Sequence, residues 1–105
     1  MNVGPTIKRL RKEKGLNQTA FSLAVGITQT ALSQIETGLR KPQKSTVEKI
    51  CRELDIAEPL LVILSLEDSD IPEDKKKMFE MLYPTVKDLM LKIFYEDDDA
   101  PVVVE

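Results

Sequence analysis

Uncharged hydrogen-bonding side chains are concentrated on one side of a short predicted helix. Five of them fall within seven residues: Thr28, Gln29, Thr30, Ser33 and Gln34. Leu32 and Ile35 lie on the opposite, apolar side at helical spacing. A helix of this kind can lie in a DNA groove and form hydrogen bonds with base edges. The amide of Gln29 could pair bidentately with adenine N6 and N7, so the pattern predicts a base-reading helix.

Local signals make this segment the second of two short helices joined at Gly26. Asn17 is a suitable N-cap for the first helix, and Thr28 is one for the second. Gly26 supplies the tight turn that a residue with a Cβ resists, and Gly38 ends the second helix. Ser22, in the middle of the first helix, is small enough for close packing but needs a partner for its hydroxyl, such as a backbone carbonyl.

Three further helices complete a predicted all-α bundle of five helices in residues 1–66. The first runs from about Pro5 to Lys14. A capping box at Ser45-Thr46-Val47-Glu48 predicts the start of the fourth, which extends to about Leu54. Pro59 suits the first turn of the fifth. Cys51 lies on the apolar stripe of the fourth helix, where we expect it to be a small core residue rather than a redox centre.

The pattern of residues 67–95 predicts a C-terminal helical extension that is kinked or broken near Pro84. Asp70 and Glu73 form a possible capping box at its start. Two neighbouring apolar rows give it a broad face: Met78, Phe79, Leu82, Val86, Leu89, Met90, Ile93 and Phe94. This face could hold a second copy, bind another protein or pack within the chain. Residues 96–105 form an acidic tail.

The charge is divided unevenly along the chain. Residues 1–57 carry 10 basic and 5 acidic residues, a net charge of +5, whereas residues 58–105 carry 5 basic and 13 acidic residues, a net charge of −8. Such asymmetry indicates a polyanionic partner for the first half only.

Composition argues against several other classes of protein. The chain has one cysteine and no histidine, so we expect no internal disulfide, no catalytic residues, no metal site and no cofactor. No apolar run is long enough to cross a membrane, and the N-terminus is unlike a signal peptide, so we expect a cytoplasmic location.

Residues 5–64 resemble the Xre/Cro-type helix-turn-helix domain of phage and bacterial repressors. The resemblance lies in the segments Gly15-Leu16-Asn17-Gln18, Gly26, Thr28-Gln29, Ile35-Glu36-Thr37-Gly38 and Arg40-Lys41-Pro42. It implies that the base contacts are made by Gln29, Thr30, Gln34 and Ser33. It also implies phosphate contacts by Gln18, Thr28, Arg40, Lys41 and Lys44. Gln18 would in addition brace the base-reading helix. Arg11 and Glu36 match a family pair that forms a structural salt bridge.

The leading hypothesis is therefore a regulator that binds double-stranded DNA through the major groove, most simply a homodimeric repressor. Because one small domain reads few base pairs, specific binding normally needs two copies on adjacent half-sites. An antitoxin, or a protein-interaction module whose C-terminal region binds a partner, is the alternative.

Overall fold

The computed structural model describes residues 1–94, which form six α-helices and no strand. The helices are α1 (Gly4–Glu13), α2 (Gln18–Val25), α3 (Gln29–Thr37), α4 (Lys44–Leu54), α5 (Glu58–Leu64) and α6 (Lys76–Phe94). Two single turns of 3-10 helix, Asp68–Asp70 and Glu73–Lys75, precede α6. The prediction of an all-α bundle with a C-terminal helical extension is confirmed.

The caps of α2 and α3 are those predicted from the sequence. The side chain of Asn17 accepts a hydrogen bond from the backbone N–H of Ala20 at 2.7 Å. Thr28 Oγ1 accepts one from the N–H of Ala31 at 3.0 Å. Gly26 ends α2 in the left-handed region, with φ of 88°. These local signals determine where α3 begins and how sharply the chain turns into it.

One apolar core joins the first five helices. Its members are Ile7, Leu10, Phe21, Val25, Leu32, Ile35, Ile50, Cys51, Leu54, Ile56, Leu60 and Leu61. The α1 helix packs against α3, α4 and α5, while α2 packs against α3 and α4. Leu32, which is fully buried, and Ile35 hold one side of α3 in this core, so the other side of α3 must face outward.

Gly4 allows α1 to begin directly against the end of α3. A Cβ at this position would overlap the backbone carbonyl oxygen of Ile35 and press on that of Glu36. Any larger residue would therefore have to move α1 away from α3.

Two predicted capping boxes are wrong. Helix α4 begins at Lys44, with Gln43 at the N-cap position, so Ser45 already lies inside the first turn, too late to cap it. Asp70 instead pairs with Glu67 in a capping box around the first 3-10 turn. Pro72 keeps the chain extended after that turn, with ψ of 145°, and α6 begins only at Lys76.

Pro84 lies inside a single helix, so the predicted alternative of two separate helices is not what forms. Proline has no amide hydrogen, and the carbonyl of Glu80 therefore lacks its usual helical donor. The half-buried Met90 and Leu91 pack against the core, and the hydroxyl of Tyr83 donates a hydrogen bond to the Ile63 carbonyl at 2.6 Å. Tyr95 and the acidic tail at 96–105 lie outside the described residues.

Candidate nucleic-acid interface

The outward side of α3 carries the polar residues singled out in the sequence. Thr28, Gln29 and Thr30 are exposed, and Ser33 and Gln34 are half-buried. The structure thus brings together, on one face at the molecular surface, all four side chains expected to reach bases. No nearby acidic side chain on α3 faces outward, because its one carboxylate, Glu36, is buried.

A buried ion pair supports α3 from beneath. The Nε of Arg11 donates to Oε2 of Glu36 at 2.7 Å, and its Nη2 donates to Oε1 at 3.0 Å. Another amine of the same guanidinium donates to the Leu16 carbonyl, at the α1–α2 connection, at 2.7 Å. Arg11 therefore links α1, the α1–α2 connection and α3 in one planar, bidentate arrangement.

Gln18 joins this arrangement from the first residue of α2. Its Nε2 donates to Oε1 of Glu36 at 3.0 Å, which leaves the amide oxygen and one N–H without a role in the pair. The resemblance gave Gln18 two roles, a phosphate contact and a brace for α3. The contact with Glu36 is a brace of this kind, and the phosphate contact stays a prediction.

Gln29 has a partner that the sequence did not indicate. The hydroxyl of Thr19, at the second position of α2, donates to Oε1 of Gln29 at 3.2 Å. Both residues are exposed. The family motif implied no function for Thr19. The one signal for its contact with Gln29 was that Thr19 directly follows Gln18, which places it beside the start of α3. Ser22 finds the expected backbone partner, donating to the Thr19 carbonyl at 3.0 Å.

Gln34 is bound to Arg40 through two hydrogen bonds. The backbone N–H of Arg40 donates to the Gln34 carbonyl at 3.1 Å. The Nε of Arg40 donates to the side-chain oxygen Oε1 of Gln34 at 3.0 Å. Gly38, with φ of 86°, makes the turn that returns the chain to the end of α3. A residue expected at phosphate and a residue expected at a base are thus in direct contact.

A cationic segment follows α3. Arg40 and Lys41 are exposed in the connection to α4, and Lys44 is exposed at the first residue of α4. Pro42, which stands between Lys41 and Lys44 in the sequence, is half-buried. Arg40 contacts Gln34 of α3, and three exposed cations in this short stretch suit contacts with a polyanion.

The apolar face of α6 is only partly covered by the chain itself. Met90 packs against the core and Phe79 is half-buried beside Tyr83, with their ring centroids 4.7 Å apart. The remaining predicted residues of the face are 39–66% exposed: Met78, Leu82, Val86, Leu89, Ile93 and Phe94. Cys51 is in the core, as expected, and burial together with the nearby Glu58 raises the pKa of its thiol to about 11.

Comparison with known protein families shows to which family the chain is related. The model of a helix-turn-helix family (HTH_3) matches residues 7–61, just over half of the chain. The chain belongs to this helix-turn-helix family. In family terms, α2 and α3 with the turn at Gly26 are the two helices of the motif, and α3 is the second of them.

Several known proteins are similar to parts of the chain. The ImmF control region 10 kDa protein of Bacillus phage phi105 is 44% identical over 48 residues, which cover 46% of this chain and 53% of that protein. An uncharacterized HTH-type transcriptional regulator of Sinorhizobium fredii is 37% identical over 60 residues, covering 57% of this chain and 78% of the relative. Another from Mycobacterium bovis is 37% identical over 49 residues, covering 47% of this chain and 19% of the relative.

The chain therefore spans about half the length of the phage relative and about a fifth of the mycobacterial one. No solved structure matches the helix-turn-helix chain significantly. None of the helices within residues 1–94 combines the length and apolar character needed to span a bilayer. The same residues contain no group of three or more His, Cys, Asp or Glu side chains placed to hold a metal ion.

Proposed function

We propose that the protein is a sequence-specific DNA-binding transcriptional regulator whose helix α3 lies in the major groove. The observation that carries this proposal is the outward polar side of α3, which is held rigidly from below by Arg11, Glu36 and Gln18. Exposed amides and hydroxyls on a fixed helix match the donor and acceptor pattern of base edges.

The proposed base contacts are those of the outward side of α3: Gln29, Thr30, Ser33 and Gln34. Thr28 and the free N–H groups at the start of α3 would face a phosphate. Arg40, Lys41 and Lys44 would hold the DNA backbone on the other side, and the free N–H of Gln18 would reach a phosphate beside α2. These phosphate contacts would supply affinity, and the side chains of α3 would supply specificity.

We further propose that two copies bind together as a repressor. A single domain of this size covers one half-site, and the second recognition helix of a dimer lies about 34 Å away along the duplex. The similarity to a phage control-region protein and to transcriptional regulators supports a role in gene control. In this account residues 1–66 bind DNA and residues 67–95 hold the two copies together.

The α6 seam is the proposed contact between the copies. We give this name to five residues at alternating spacings of three and four: Phe79, Leu82, Val86, Leu89 and Ile93. Leucine occupies one of the two alternating positions, and β-branched residues occupy two of the three others, a pattern that favours pairs of helices. Leu82, Leu89 and Ile93 are more than half exposed, so the chain leaves the seam open to a partner.

An apolar groove beside the seam adds to the surface that a second copy could bury. The groove has a volume of about 400 Å³ and lies between the segment from Leu66 to Lys75 and the first half of α6. Its lining consists almost wholly of aliphatic and aromatic side chains. The alternative occupant is a different protein, as in an antitoxin, and the oligomeric state of the isolated chain distinguishes the two.

Selection of bound fragments from a pool of random duplexes tests the proposed function. A regulator of this kind should enrich one short sequence in two inverted copies whose centres are about one helical turn apart. Enrichment of a single, unpaired copy would contradict the dimer. Equal recovery of all sequences would contradict sequence-specific binding altogether.

A further inference from the structure

We infer that Arg40 sets the base preference of α3 by fixing which end of the Gln34 amide faces the DNA. This inference rests on the proposed function and concerns the same surface. It makes Arg40 a positioning residue as well as a phosphate contact. The family match alone does not give this role, because it follows from the two hydrogen bonds that join Arg40 to Gln34.

The chemistry of the two groups leaves one orientation. The Nε–H of arginine can only donate, whereas an amide side chain has an accepting oxygen at one end and a donating –NH2 at the other. Rotating the Gln34 amide by half a turn would bring two donors together. Oε1 must therefore face Arg40, as it does at 3.0 Å, and the –NH2 group of Gln34 points away from that guanidinium.

The backbone makes this arrangement stable. The N–H of Arg40 donates to the Gln34 carbonyl, which also accepts from Oγ1 of Thr37 at 3.2 Å. The two residues are thus held close together before their side chains meet, so the side-chain contact costs less conformational entropy than one between distant residues. The two terminal amines of Arg40 stay available for a phosphate oxygen.

A donating amide selects for accepting base edges. Guanine N7 and O6, thymine O4 and adenine N7 are acceptors in the major groove, while cytosine N4 and adenine N6 are donors. Bidentate pairing with adenine needs both ends of the amide at the base, and in this structure Arg40 occupies the oxygen end. Gln34 should therefore favour guanine or thymine at the position that it reads, and adenine should rank below them because its N6 donor lies beside its N7 acceptor.

Selection from a random duplex pool with matched variants tests the inference. Gln34→Ala first identifies the base pair that Gln34 reads, because preference at that pair should weaken. Arg40→Met keeps much of the side-chain volume but removes every side-chain donor, so the amide can turn. We expect adenine to gain about fivefold over guanine and thymine at that pair alone. Arg52→Met is the control, because Arg52 is an exposed arginine on α4 for which no DNA contact is proposed, and it should return the preference of the unmodified chain. Circular dichroism checks that each variant is folded.

The outcomes separate this inference from the proposed function. Unchanged base preference in Arg40→Met, with altered base preference in Gln34→Ala, would overturn the role of Arg40 and leave sequence-specific binding intact. Unchanged preference in Gln34→Ala would also overturn it, because Gln34 would then read no base. If the unmodified chain enriches no sequence, the proposed function itself fails.

Discussion

Arg11 and Glu36 form a two-point ion pair that joins α1 to the base of α3. Their hydrogen bonds measure 2.7 and 3.0 Å, and the side chains are only 6% and 1% exposed. A charge so far from water is stable only while its partner is present. The position of α3, and with it the proposed DNA surface, therefore depends on a contact on the opposite side of the helix.

Removing one partner of this pair should destabilise the fold strongly. Arg11→Met keeps much of the side-chain volume but leaves the Glu36 carboxylate buried without its cation. We expect the free energy of unfolding to fall by about 3–5 kcal/mol, measured by urea denaturation. Arg11→Met combined with Glu36→Met should recover most of this loss, because no unpaired charge remains. A single substitution that costs less than about 1 kcal/mol would show that the pair is not what holds α3.

The buried thiol of Cys51 should make stability depend on pH under alkaline conditions. Burial raises its pKa from about 9 to about 11 in the folded protein. Below pH 9 the thiol is protonated in both states, so its contribution is constant. Between pH 9 and 11 it ionises only when unfolded, and the free energy of unfolding should therefore decrease as the pH rises. Urea denaturation of Cys51→Ala should show a shallower decrease over this range. Identical pH profiles would contradict the assignment.

The α6 seam should determine the oligomeric state. Leu82→Glu and Leu89→Glu place charges in the centre of the proposed contact and should convert a dimer to a monomer in sedimentation experiments. Met81→Glu is the matched control, because Met81 is 73% exposed on the same helix but outside the seam. If all three variants sediment as the unmodified chain does, the seam is not the contact between copies.

Lys41 should contribute equally to the binding of every DNA duplex, whatever its base sequence. Lys41→Ala is expected to weaken binding to every duplex alike and to reduce the dependence of log K on log salt concentration by about one unit. Titrations of a selected site and of an unrelated duplex over a range of salt concentrations measure both effects. A loss confined to the selected site would mean that Lys41 contacts a base.

The local signals that proved reliable in the sequence were those with a direct stereochemical cause. Asn17 and Thr28 cap their helices as predicted because their short side chains reach the second or third free N–H of the next turn. The outward polar side of α3 was also predictable, since Leu32 and Ile35 can be buried only if the opposite side is exposed.

Features that depend on tertiary packing could not be predicted from local signals in the sequence. The capping boxes predicted at Ser45 and Asp70 had suitable residue types. The helices nevertheless begin at other positions, with Gln43 and Glu67 as the N-cap residues. Side-chain contacts across the turn, such as Thr19 with Gln29, join residues ten positions apart. The sequence offers no periodic pattern for such a pair, because it depends on the angle between two helices.

The affinity ratio between a selected site and a scrambled duplex tests the central claim most directly. Gln29→Ala combined with Thr30→Ala removes two exposed side chains from α3 without touching the core, so stability should change little. We predict that the ratio falls by about tenfold or more, while binding to the scrambled duplex persists. An unchanged ratio in the folded variant would contradict the claim that α3 reads the bases.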